Sequence, residues 1–159
     1  MRLIILRHGL AVDREEWHGP DALRPLTALG RKRTQRMVKA TKPLVSGFHR
    51  IWTSPWLRAL DTAEIAGRIW GLPVSQQEWL AGDGPAAGDT LENLPHEDTV
   101  LVGHEPDLGE LIGVLCGGPA LPLKKAGLAL LGGQPLAGGM TLRLLLTPPA
   151  VRLLQGKAP

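Results

Sequence analysis

The aliphatic run Leu3-Ile4-Ile5-Leu6 closes on Arg7-His8-Gly9: a cation, an imidazole and a glycine. These residue types suit phosphoryl chemistry. An imidazole nitrogen accepts a phosphoryl group, a guanidinium holds two phosphate oxygens at once, and a glycine lets a substrate come close to the backbone. A second aliphatic run, Thr99-Val100-Leu101-Val102, ends in the same way on Gly103-His104. The tripeptide alone is a weak signal, so the elements that position it have to carry the reading.

Those elements follow from where the periodicity changes. Arg2 to Leu6 is too short for a helix and too apolar for a surface strand, so it reads as a strand covered on both faces. From Thr27, a predicted N-cap, a helix runs toward Pro43 with Leu29, Met37 and Val38 on its apolar stripe. Arg50 to Thr53 is a second strand. Ser54-Pro55 then places a capping hydroxyl before a proline at the first helical position, and a helix extends from Trp56 to Trp70, where Gly71 stops it. Pro73 to Gln76 is a short strand, and residues 79 to 90 read as a loop. Thr99 to Val102 is a strand, Asp107 caps a helix from Leu108 to Cys116, and Leu128 to Leu131 and Met140 to Leu146 are further strands. Gly132-Gly133 and Gly138-Gly139 flank a tight connection between those last two. The alternation predicts a three-layer α/β sandwich around a mainly parallel sheet. Ligands of such sheets bind beyond the carboxyl ends of the strands, which gives Arg7, His8 and His104 one common edge.

Composition narrows the possibilities. A chain of 159 residues with 43% hydrophobic content suits one domain spanning residues 1–159. No apolar run approaches the ~20 residues of a membrane span, and no secretory pattern opens the chain, so a cytoplasmic, membrane-free protein is expected. The single cysteine, Cys116, lies in an apolar stretch and reads as a core residue. The net charge is +3, but the cations form no basic block of roughly five to eight residues. Arg31, Lys32, Arg33, Arg36 and Lys39 read as the solvated face of the first helix, and nucleic acid is not expected as a partner.

Four stretches resemble the histidine phosphatase superfamily, with its phosphoglycerate-mutase-like fold, and within it the short SixA-type phosphohistidine phosphatases. They are Leu6-Arg7-His8-Gly9, Leu26-Thr27-Ala28-Leu29-Gly30, the segment from Thr53-Ser54-Pro55 through Arg58 to Ala63, and Val102-Gly103-His104-Glu105-Pro106-Asp107. With the segment that begins at Leu123-Lys124-Lys125, they keep family order and spacing from residue 1 to about 131. The small size favours the phosphohistidine branch over the mutases and sugar-phosphate phosphatases, which carry longer insertions.

The resemblance implies that His8 is the nucleophile, transiently phosphorylated, and that Arg7, Arg58 and His104 surround the phosphoryl oxygens, with Gly9 beside them. Arg58 would project from the first turn of a helix whose positive end already favours an anion, and a protonated His104 could donate to an oxygen. His8 must be neutral on its attacking nitrogen, which calls for its other nitrogen to be tied to a backbone carbonyl. Taken singly, Arg7 is a surface cation, His104 a satisfied core histidine and Arg58 the wet face of a helix; their joint occurrence at strand ends is what changes the reading. His18, His49 and His96 lack such context and read as exposed.

Larger members of the superfamily use a carboxylate as general acid, for which Glu78 and Asp83 are the candidates here, Glu78 the one carried forward. The phosphohistidine branch has less need of one, since a phosphorylated imidazole can leave as a neutral ring. The family also implies that one of Lys124-Lys125 faces the substrate groove, with a solvated pair as the alternative. No metal site and no cofactor is proposed. The expected substrate is a phosphorylated protein, for instance a histidine-containing phosphotransfer domain, and inorganic phosphate is the expected product. A phosphatase of small phosphomonoesters and a non-catalytic phosphate-binding module are the competing readings.

Overall fold

A computed structural model describes residues 1–83 and 87–156. Its centre is a six-stranded sheet of β1 (Arg2–Arg7), β2 (Arg50–Thr53), β3 (Val74–Gln76), β4 (Thr99–Gly103), β5 (Leu128–Gly133) and β6 (Met140–Leu146), in the order β3-β2-β4-β1-β5-β6. The pairs from β3 to β1 are parallel, while β1–β5 and β5–β6 are antiparallel. The antiparallel hairpin is what a connection as short as residues 134–139 enforces, because a parallel crossover needs a dozen residues or more.

Alternation along β1 explains the layers. Ile4 and Leu6 point to a core shared with Met37, Val38, Ala59, Ala63 and Val151, whereas Leu3 and Ile5 point to one shared with Leu108, Leu111, Ile112 and Leu115. The four α-helices among the described residues divide accordingly: α1 (Ala28–Thr41), α2 (Leu57–Trp70) and α4 (Pro148–Leu154) cover one face, and α3 (Asp107–Cys116) covers the other. All four central residues of β1 are inaccessible to solvent. This is the expected three-layer α/β sandwich. Among the described residues, no helix is long and apolar enough to cross a membrane.

Local sequence accounts for most helix ends. Thr27 caps α1, its hydroxyl accepting from Gly30 N–H at 2.9 Å. Gly71, with φ of 74°, supplies the left-handed residue that ends α2. Several expectations need correction. Leu29 is 48% exposed, because the buried face of α1 runs through Gly30, Thr34, Met37, Val38 and Thr41 and leaves position 29 about 100° away. Helix α2 begins at Leu57 rather than Trp56, since the Ser54 hydroxyl accepts from Trp56 N–H at 3.1 Å and holds that residue outside the helix. Asp107 is the first residue of α3, not its side-chain cap. The loop expected at 79–90 is replaced by 3-10 turns at Glu78–Leu80 and Ala87–Asn93, with residues 84–86 outside the described part. Helix α4 was not anticipated, although Thr147 before Pro148-Pro149 carries its signal; Thr147 accepts from Ala150 N–H at 3.4 Å.

Candidate active site

The register of the parallel strands builds the site. Arg7 at the end of β1 lies opposite Gly103 at the end of β4, and His8 N–H donates to the Gly103 carbonyl at 3.1 Å. The next residue of each strand is a histidine, so the two imidazoles stand side by side with ring centroids 5.1 Å apart. On the other side of β4, Thr53 pairs with Val102 and Ser54 N–H donates to the Val102 carbonyl at 2.9 Å, and from there the Ser54 side chain reaches His104. Three neighbouring strand ends therefore deliver Ser54, His104 and His8 in a row. Arg58, in the first turn of α2, packs its guanidinium over the Trp56 ring at 4.6 Å, and that ring lies 5.0 Å from His104.

Hydrogen bonds fix each group. His8 Nδ1 donates to the Gly9 carbonyl at 2.7 Å, which leaves Nε2 with its lone pair, the state a nucleophile requires. His8 is 6% exposed, and its pKa falls from 6.5 to about 3, chiefly by burial, with Arg58, Arg7 and Lys125 adding to the effect. The Ser54 hydroxyl lies 2.8 Å from His104 Nε2. The hydroxyl accepts from Trp56 N–H, and its own proton finds an acceptor when it donates to Nε2, which puts the proton of a neutral His104 on Nδ1. Burial, and then His8 and Arg58, hold His104 at a pKa of about 2. The sequence suggests that His104 could donate if protonated; in this buried site a third positive charge beside two guanidiniums is disfavoured, so the proton it offers is that of a neutral ring.

The arginines are anchored at their tips. Arg7 donates from Nη1 to the Leu123 carbonyl at 2.7 Å, and Glu105 holds that segment by accepting from Leu123 N–H at 2.9 Å. Arg58 donates to the backbone carbonyl and carboxylate of Asp21, at 2.8 and 3.1 Å. Burial works against both guanidinium charges, with Glu105 and Asp21 respectively countering it. Among the described residues four buried side-chain polar atoms have no partner: Arg7 Nε, Arg58 Nε and His104 Nδ1, and Thr34 Oγ1 on α1 beside Gly9. Such orphans are rare in native proteins and are satisfied by a ligand where one binds.

The remaining candidates fall into two groups. The close approach that Gly9 permits is made by α1, since a Cβ there would collide with Thr34 Oγ1, and Gly9 N–H donates to Thr62 Oγ1 at 3.0 Å. Lys124 is exposed on the turn that follows Leu123, on the Arg7 side of the site. Glu78 is exposed at the first position of the turn after β3, and none of the described hydrogen bonds joins it to either histidine. His18, His49 and His96 are exposed. Sequence signals give Ser54 a capping role and place Glu105 only within a motif, and nothing local marks Asp21. The Ser-Pro and Gly-His-Glu-Pro-Asp strings contained two of them, but their partners lie 50 and 18 residues away.

A model of the histidine phosphatase superfamily (branch 1) matches residues 3–82. The chain belongs to that superfamily, which supports a phosphatase activity. Its relatives include SixA proteins, and its fold neighbours also include a phosphoserine phosphatase of Entamoeba histolytica and a mycobacterial glucosyl-3-phosphoglycerate phosphatase. The phosphohistidine phosphatase SixA of Escherichia coli (strain K12) is 30% identical over 131 residues, 77% of this chain and 79% of that protein. An uncharacterised protein of Picosynechococcus sp. is 39% identical over 137 residues, 80% of this chain and 82% of its own length. Among solved structures, the protein histidine phosphatase SixA complexed with tungstate aligns with a TM-score of 0.80 at 25% identity, covering 93% of this chain and 97% of that one.

Proposed function

We propose that this protein hydrolyses phosphohistidine on a protein partner through a covalent phospho-His8 intermediate. The observation that carries the reading is the set of three orphaned donors, Arg7 Nε, Arg58 Nε and His104 Nδ1, gathered around a histidine whose free nitrogen is Nε2. In the first step the Nε2 lone pair forms a bond to phosphorus as the P–N bond to the substrate imidazole breaks. The electron pair leaves with that imidazole, which carries a proton on its other nitrogen and departs neutral. Arg7 and Arg58 hold the phosphoryl oxygens, and His104 Nδ1–H donates to the oxygen on its side. The Nδ1–H bond to the Gly9 carbonyl favours the positive charge that the phosphorylated His8 ring acquires. Water then attacks phosphorus, the His8–P bond breaks, and inorganic phosphate is released. The similarity to SixA proteins, one of them solved with tungstate bound, supports the same reading.

A substrate panel tests it. Phosphohistidine peptide, aryl phosphate, phosphoglycerate and sugar phosphates are offered to the purified protein, and phosphate release is followed. Phosphohistidine is expected to give the highest kcat/KM. Comparable turnover of phosphoglycerate would replace this reading with a small-molecule phosphatase.

A further inference from the structure

Most cations of α1 form the solvated face that their spacing suggests, Arg31, Lys32, Arg33 and Lys39 being exposed, but Arg36 is half-buried. Arg33 and Arg36 turn into a cavity of about 550 Å³ shared with Lys124, Lys125 and Arg152, and Arg7 forms part of its wall. The floor is aliphatic, built from Met37, Val151, Pro148 and Pro149. No carboxylate lines it among the described residues. Arg31, on the same helix, pairs with Asp61 at 2.7 Å, and Arg2, Arg24, Arg50, Arg58 and Arg68 each have an acidic partner, whereas exposed cations such as Lys32, Lys39 and Arg143 have none among the described residues. Among the described residues Arg33, Arg36, Lys124 and Lys125 also have none.

The lysine pair is held in place. Gly127 N–H donates to the Lys124 carbonyl at 2.6 Å, closing a tight turn in which Ala126 takes a φ of 58°, a conformation unusual for any residue but glycine. Ala126 N–H then donates to the His8 carbonyl at 3.0 Å, fastening the turn to the nucleophile's own backbone. A persistent cluster of like charges around an apolar floor raises the local concentration of anions that also carry methylene groups. Because Arg7 belongs to both spaces, whatever fills the cavity adjoins the phosphoryl pocket.

We propose that this cavity is a recognition subsite for acidic side chains flanking the phosphohistidine of the substrate protein, an inference that rests on the phosphohistidine reading. Asp and Glu match the cations with their carboxylates and the floor with their methylenes. A free polyphosphate would satisfy the cations and leave the floor uncovered.

The experiment compares a phosphohistidine peptide carrying Asp and Glu around the modified residue with its Asn and Gln counterpart, using wild type and the double variant Arg33→Glu, Arg36→Glu. An aryl phosphate too small to reach the cavity is the control. Wild type is expected to prefer the acidic peptide by about tenfold in kcat/KM at low salt, the sum of two or three partly exposed ion pairs, and to lose that preference as salt rises. The double variant should lose it at all salt concentrations while hydrolysing the aryl phosphate at the wild-type rate. Arg33→Gln, Arg36→Gln, checked for an unchanged thermal midpoint, repeats the test without charge reversal. Equal kcat/KM on the two peptides in wild type, or a preference that survives in both double variants, would overturn the subsite. So would a duplex oligonucleotide or inorganic polyphosphate that inhibits aryl phosphate turnover at lower concentration than the unphosphorylated acidic peptide and loses that inhibition in the double variants. If neither phosphohistidine peptide is cleaved while the aryl phosphate is, the functional reading has failed. Calorimetric titration of the unphosphorylated acidic peptide then judges the cavity alone: binding lost in the double variants supports an acidic-peptide site, and undiminished or absent binding rejects it.

Discussion

His8 is the only side chain that forms a bond to phosphorus in the proposed mechanism, so His8→Ala should abolish turnover and the acid-labile phosphoenzyme together, as read by radiolabel trapping. Arg58→Ala should leave a weakened enzyme, losing on the order of 2–4 kcal/mol of transition-state stabilisation, the range for other preorganised donors. Ser54 acts one bond further out. Ser54→Ala removes the donor that fixes His104 as the Nδ1–H tautomer; kcat is expected to fall on the order of tenfold, with the tautomer change read directly from ring-nitrogen chemical shifts. The histidines also set a pH dependence. Above their unfolded pKa of 6.5 both are neutral in either state and give no slope. Below it the unfolded chain takes up protons that the folded protein refuses until about pH 3 at His8 and about pH 2 at His104. Stability should therefore fall as pH drops from 6.5 toward 3, by up to ~1.4 kcal/mol per pH unit for each histidine. Urea midpoints across this range should show a shallower fall in His8→Ala.

At the scale of elements, the site depends on how α1 and α2 meet the end of β1. Gly9 sits where α1 crosses, and its N–H reaches Thr62 on α2, whose hydroxyl in turn donates to the Arg58 carbonyl at 2.7 Å. A methyl group at position 9 collides with Thr34, which faces the same contact from α1 and is inaccessible to solvent. Gly9→Ala is expected to destabilise the fold by about 1–3 kcal/mol, as overpacking does in a close-packed interior. Thermal unfolding checks this, and a midpoint equal to wild type would show that the α1 contact is not needed there.

For the molecule as a whole, the pairing of a buried, cationic phosphoryl pocket with an exposed Glu78 has a kinetic consequence. Without a carboxylate in contact with the leaving group, substrates that leave as neutral or weakly basic groups should be favoured. Phosphoramidates and aryl phosphates of low leaving-group pKa are expected to exceed alkyl phosphates by about a thousandfold, since each 1.36 kcal/mol of unassisted leaving-group cost is a factor of ten. Glu78→Gln should leave phosphohistidine cleavage nearly unchanged. A kcat/KM series across leaving groups in both proteins measures this, and a variant crippled on alkyl phosphates that the wild type turns over as well as phosphohistidine would restore Glu78 as the acid.

Much of this was readable along the chain because the signals are local. An aliphatic run such as Leu3 to Leu6 can only be satisfied when covered on both faces, Thr27 and Gly71 mark helix ends through their own side chain or backbone, and the strings around His8, Arg58 and His104 carry the family's signature. Other features depend on residues far apart in sequence, and only the tertiary structure decided them. That β4 is inserted between β1 and β2, with Arg7 opposite Gly103, is what places His8 beside His104 and Ser54 behind it. The same holds for the loss of protons from both imidazoles, which follows from burial and from neighbouring guanidiniums rather than from residue type. Arg33 and Arg36 show the limit most plainly. Helical periodicity puts them on the polar face of α1, but whether that face meets water or borders a cavity depends on where α4 and the Lys124–Gly127 turn pack, and no local propensity encodes that choice.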